Sequence, residues 1–218
     1  MRKKEMIPDT KPKRLIVGIG GASGGIHGVR VLEVLKSMKG PETYLVPSPS
    51  AIRTLQEETD HDTDPVCELV NEVHSQRDIG AAISSGSFRT EGMLVAPGSV
   101  RTLSAIANRY ASELLLRAAD VCLKERRRVV LLFRETPLHA GHIDMMERAT
   151  RNGAILMPPV PAFYHRPATI DDIVNQTVGR ALDLFDIDPR IVKRWKDETV
   201  PEQEAAMGAR ELKAAAKP

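Results

Sequence analysis

Residues Arg14 to Gly28 join a short apolar run to a helix-like run through a turn dense in glycine, and few folds accept that junction. Arg14-Leu-Ile-Val-Gly18 has the β-branched character of a strand buried on both faces, and Val29, Leu32, Val34 and Leu35 make an apolar helix stripe. Between them lies Ile-Gly-Gly-Ala-Ser-Gly-Gly-Ile-His, leading to Gly28. A strand-to-helix turn of this kind aims unpaired N–H groups and the positive end of a helix at one point, which suits an anion. Gly18-x-Gly20-x-x-Ser23 approaches the dinucleotide fingerprint, but Thr43-Tyr-Leu-Val46 ends in Pro47-Ser48 and offers no carboxylate for a ribose diol. The Gly-Lys-Ser/Thr ending of an ATP loop is also missing. A single terminal phosphate, on a flavin mononucleotide or a sugar, remains, beside the plain alternative of a tight turn with no ligand.

Further apolar runs alternate with helix patterns along the chain. Strands are expected at Thr43–Val46, Gly92–Pro97, Val129–Phe133 and Ala154–Met157. Helices are expected from a Ser50 cap to about Glu58, from about Val100, over Ala111–Glu125, over His139–Arg151, and from a Thr169 cap to about Phe185. Residues 59–80 read as an irregular excursion with one short helix near Val66–Val73. The pattern specifies a single-domain α/β fold, a doubly wound Rossmann- or flavodoxin-like, mostly parallel sheet flanked by helices. Residues 1–13 read as a flexible basic lead-in, 14–187 as the α/β domain, and 188–218 as a short helix around Trp195 with a charged tail. Ligands of such sheets sit beyond the carboxyl ends of the strands. The residues there are Ser23, Ser48, Ser50, Gly98, Ser99, Arg134, Glu135 and the Pro158–Tyr164 loop.

Composition narrows the partners. A net charge of +2 and 4% aromatic residues argue against nucleic acid. No apolar run reaches membrane-spanning length, and Cys67 and Cys122 suit reduced thiols, so a cytoplasmic protein is expected. His139-x-x-His142 lacks a third ligand at suitable spacing, which argues against metal. Gly21-Ala-Ser-Gly-Gly25 approaches a hydrolase elbow but stands after the first strand rather than a later one.

Taken in order, Gly20-Gly-Ala-Ser-Gly24, Ser85-Gly-Ser-Phe-Arg-Thr-Glu-Gly92, Arg117-Ala-Ala-Asp120, Leu123-Lys-Glu-Arg126, Arg134-Glu-Thr-Pro-Leu138, Met157-Pro-Pro-Val-Pro-Ala-Phe-Tyr164 and Val178-Gly-Arg180 resemble the UbiX-type flavin prenyltransferases across roughly residues 14–187. The chain departs from that pattern at Gly98, often cysteine, and at Ala111-Ser-Glu113. The resemblance implies metal-independent transfer of a dimethylallyl group from dimethylallyl monophosphate to reduced FMN, with prenylated FMN passed to a UbiD-type decarboxylase. It implies that Ser23, Ser48, Ser99, Thr102 and Arg134, with the backbone of Gly20 and Ala22, surround the flavin. It further implies that Arg117, Lys124, Glu135, Tyr164 and Arg180 hold the prenyl phosphate, that Glu58 lies near flavin and prenyl group, and that the protein is a homo-oligomer, commonly a dodecamer, with shared sites.

The side chains suit that chemistry. Breaking an allylic carbon–oxygen bond leaves charge on phosphate, which cations and a proton donor stabilise. Arg117 and Lys124 are two helical turns apart on one face, Glu135 is a candidate proton shuttle, and Phe163 and Tyr164 offer electron-rich faces to an allyl cation-like centre. Two rivals are an FMN-dependent cysteine decarboxylase, disfavoured by the absence of a clear Asn-His motif, and a non-catalytic flavin carrier.

Overall fold

The computed structural model describes residues 13–38, 40–59 and 63–196. The lead-in apart from Lys13, and the tail from 197, lie outside them. Among the described residues six strands form one parallel sheet in the order β3-β2-β1-β4-β5-β6. They are β1 Arg14–Ile19, β2 Glu42–Pro47, β3 Glu72–Val73, β4 Gly92–Gly98, β5 Arg128–Phe133 and β6 Ala154–Leu156. The helices are α1 Ile26–Ser37, α2 Pro49–Glu58, α3 Thr63–Cys67, α4 Val100–Asn108, α5 Leu114–Lys124, α6 Ala140–Arg151 and α7 Ile170–Asp183.

Strand alternation sorts the core into two layers. Leu15, Val17 and Ile19 of β1 face α1, α2 and α7, with Val29, Leu32, Leu55, Val178 and Leu182. Ile16 faces the other way and joins Met93, Val95, Leu103, Leu115 and Cys122 over α4, α5 and α6. Both faces are covered, so the strands read as continuous apolar runs rather than alternating ones. Each fully buried Leu or Ile contributes about 1.5–3 kcal/mol. Burial also pushes the Cys122 thiol up to about 11, which keeps it protonated and inert.

Three sequence expectations are corrected. The cap of α2 is Ser48, not Ser50: Pro49 takes the first helical position, its fixed φ suits that place, and Ser48 Oγ accepts from the Ala51 N–H at 3.0 Å. The excursion after α2 holds a sixth strand, β3, whose two residues are exposed and therefore carry no periodic signal. Asn71 N–H to the Thr43 carbonyl (3.0 Å) and His74 N–H to the Leu45 carbonyl (2.8 Å) tie it to β2. Residues 187–196 form no helix around Trp195; they fold back along α7 as an irregular strap with left-handed Arg190 and Lys196.

Between β1 and β4 the chain order reverses, the place where open parallel sheets bind ligands. The glycine turn is pressed into it. Gly20 N–H donates to the Pro97 carbonyl at 2.9 Å. A Cβ on Gly28 would lie 2.4 Å from the Ala96 carbonyl oxygen, so only glycine lets α1 approach β4 this closely. Gly24 has φ +96°, a left-handed turn that opens the loop.

Candidate active site

Three helix N-termini meet at the β1/β4 crevice: α1 behind the glycine turn, α2 behind Ser48 and α4 behind Ser99. Ser48 and Ser99 are both helix caps. Ser99 Oγ accepts from the Thr102 N–H at 3.3 Å and lies 3.3 Å from Thr102 Oγ1. A hydroxyl that accepts from a cap amide still has its own hydrogen to donate, so both serines can serve a ligand while they hold their helices. Thr102 is buried and bears on the crevice through Ser99.

Glu58, in the last turn of α2, reaches back into the glycine turn. Its Oε2 accepts from the Gly24 N–H at 2.8 Å and the Gly25 N–H at 3.2 Å. Partial burial works against its charged form, but the Ser23 hydroxyl, the two amides and nearby Arg134 more than offset that and hold the carboxyl below its usual value. These main-chain amides thus already hold one anionic oxygen. The turn is therefore built to receive negative charge or a carbonyl. His27, whose ring Nδ1 lies 3.0 Å from the Gly24 carbonyl, has its pKa lowered by burial and adds no positive charge at neutral pH.

Arg134 and Glu135 follow β5 on the same edge. Arg134 N–H donates to the Gly98 carbonyl at 3.0 Å, and Glu135 Oε1 accepts from the Thr136 N–H at 3.0 Å. The site-side departure at Gly98 has a packing basis: a Cβ there would lie 2.2 Å from Leu131 Cδ1, a core atom of β5. Gly20 is buried and Ala22 and Ser23 line the turn's outer side.

The expected phosphate-binding residues do not gather there within one chain. Helix α5 starts beside Gly18, whose Cβ position lies 3.2 Å from Leu115, and runs against the strands to end near Arg128, where β5 begins. Arg117 is one turn from the carboxyl edge, paired with Asp120 at 2.9 Å. Lys124 is at the far end, paired with Glu125 and lying over Gly86. Arg180 is also at the amino edge: it pairs with Asp183 at 2.7 Å, in the last turn of α7, next to where Phe185 packs against Gly92 and Asp186 meets Arg128. A six-residue strand spans about 20 Å, so Lys124 and Arg180 stand roughly that far from Arg134. Helices that run antiparallel to the strands put the last turns of α5 and α7 at the opposite edge. Sequence spacing alone could not show this.

Tyr164 follows β6 on an exposed loop and touches two residues that no sequence motif marks. Its hydroxyl accepts from Gln176 Nε2 at 2.8 Å, and its ring meets Trp195 edge-on with centroids 5.4 Å apart. Among the described residues no group of three or more metal-ligating side chains comes together, and no helix is long and apolar enough to cross a membrane.

A switch-point crevice lined by capped helix ends, glycine turn and acid–arginine pair defines a flavodoxin-like ligand-binding protein. Residues 4–182 match the model of the Flavoprotein family. The chain is 56% identical over 182 residues to the flavin prenyltransferase UbiX of Thauera aromatica, covering 84% of this chain and 93% of that protein. The crystal structure of AnUbiX in complex with FMN and dimethylallyl pyrophosphate superposes with a TM-score of 0.84 at 45% identity, over 86% of this chain and 99% of that one. A dodecameric FMN-dependent UbiX-like decarboxylase from Escherichia coli O157:H7 gives 0.82 at 45% identity, over 84% and 100%. This chain belongs to the Flavoprotein family, within its UbiX flavin prenyltransferases.

Proposed function

We propose that the protein binds reduced FMN in the β1/β4 crevice and transfers to it a dimethylallyl group from dimethylallyl monophosphate. The observation that carries this is the glycine turn closing on Glu58 beside Arg134, together with the capped N-termini of α2 and α4 and the near full-length match to flavin prenyltransferases. Bound reduced FMN would supply the nucleophilic carbon and nitrogen that take the prenyl group.

The residues divide that work between them. Ser23, Ser48, Ser99 and Arg134, with the backbone of Gly20 and Ala22, hold the flavin, and Thr102 fixes Ser99. Arg117, Lys124 and Arg180 neutralise the departing phosphate, and Tyr164 donates to one of its oxygens. Glu135 carries a proton to the phosphate and helps remove one when the new ring closes, while Glu58 holds the flavin edge against the glycine turn. Because Lys124 and Arg180 stand at the amino edge, a complete site draws them from neighbouring copies. The protein is then a homo-oligomer, for which the dodecameric relative is the precedent. The prenylated FMN leaves for a UbiD-type decarboxylase.

Anaerobic incubation with reduced FMN and dimethylallyl monophosphate should release inorganic phosphate and yield a flavin heavier by one five-carbon unit. A parallel reaction with the pyrophosphate tests the donor. Only unchanged FMN in both would contradict the proposal.

A further inference from the structure

Gln176 is a buried amide on the side of α7 that the strap at 187–196 covers. It is 4% exposed, in a stretch of α7 whose neighbours Val174 and Val178 are core residues at 2% and 0%. An unpaired amide there would cost about 1–3 kcal/mol, and its three hydrogen bonds offset that cost. The Lys193 N–H donates to Oε1 at 3.0 Å, and the Lys193 carbonyl accepts from Nε2 at 3.2 Å. A main-chain N–H can only donate and a carbonyl can only accept, so these two bonds settle which way the amide faces. The remaining Nε2 hydrogen is therefore directed at the Tyr164 hydroxyl oxygen, 2.8 Å away. That oxygen acts as acceptor, and its own hydrogen is left to be given to something else.

The strap at 187–196 holds this arrangement from outside. Val192 lies on α7 so closely that a Cβ on Gly179 would come within 2.3 Å of it. Arg194 grips both oxygens of Asp183 at 2.9 Å and reaches Asp188 at 3.2 Å, a planar fork that favours one geometry. Trp195, next in the chain, packs against the Tyr164 ring.

We propose that Gln176 is a positioning residue that fixes the Tyr164 hydroxyl as a donor toward the departing phosphate, with residues 187–196 as the strap that locks it. This rests on the reading of Tyr164 as a phosphate contact.

The test is a double-substitution cycle on the full chain loaded with FMN. Gln176→Met keeps the volume but cannot donate. It should lower kcat for prenyl transfer about tenfold or more, within the range of general acid catalysis, and leave FMN binding unchanged. Combined with Tyr164→Phe it should be no worse than Tyr164→Phe alone, since an absent hydroxyl needs no positioning. Arg194→Gln, on the surface, should lower kcat by a smaller factor and should lower the fluorescence anisotropy of Trp195, the chain's single tryptophan. It tests the same arrangement independently should Gln176→Met not fold. Additive losses, or an unchanged kcat in both Gln176→Met and Arg194→Gln where Tyr164→Phe is impaired, would overturn the inference. Full turnover in Tyr164→Phe would instead overturn the role of Tyr164 and this inference with it. An unsubstituted protein that adds no five-carbon unit to the flavin would overturn the function itself.

Discussion

The carboxyl and amino edges of the sheet hold their polar side chains in different ways. At the carboxyl edge, Glu58 is bound by two main-chain amides and a hydroxyl, and Ser48 and Ser99 are engaged as caps. At the amino edge, Lys124 and Arg180 pair with acids one and three residues away and stand exposed on the last turns of their helices. Local pairs of that kind are worth at most about 1 kcal/mol and are easily exchanged. In the proposed function the first edge would hold the flavin, and the cations of the second would exchange their local acids for the prenyl phosphate. If the proposed roles hold, one chain carries two half-sites rather than one complete site.

The largest effect that would sharpen this contrast is chemical. Glu135→Gln should cut prenyl transfer about 10²–10⁴-fold, the span of general acid–base catalysis, while the protein still turns yellow with FMN. Loss of flavin binding instead would make Glu135 part of the holding edge. Gly28→Ala comes next, as a test of how tightly the glycine turn is pressed on β4. The new methyl would meet the Ala96 carbonyl, so urea unfolding should show a loss of about 1–3 kcal/mol. An unchanged midpoint would mean that α1 is free to move away.

The smallest effect concerns Glu58. Its folded-state pKa is lowered, so its contribution to stability is present above the unfolded carboxyl value and is lost as pH falls through the lowered folded value. The stability gap between the protein and Glu58→Gln should thus narrow on acidification toward that value. A gap that widens in acid would contradict the hydrogen-bonded carboxylate.

Five of the six strands and the long helices were legible in the sequence because a sheet covered on both faces writes itself as unbroken apolar runs. Edge strand β3 was not, since Glu72 and Val73 are exposed and are held by main-chain bonds that no side chain announces. The glycine turn was legible as an anion-receptive loop. Its partner Glu58, 34 residues on, was placed near the flavin by resemblance, but its contact with the Gly24 amide needed the folded path of α2. Gln176 left no signal of its own, since it stands between polar Asn175 and Thr177 and off the Val174, Val178 and Leu182 face, where the strap covers it. The strap that explains it turns on left-handed Arg190 and Lys196, residue types with no preference for that conformation.

Mixing two inactive variants tests the half-site account most directly. Glu135→Gln and Arg180→Ala should each be inactive alone, one damaged at each edge. Dissociated, mixed in equal amounts and reassembled, they should recover prenyl transfer at about a quarter of the unsubstituted rate, because symmetric assembly then pairs intact edges from different copies. No recovery from fully mixed oligomers would mean that each chain completes its own site, contrary to the separation of Arg180 from Glu135 across the sheet.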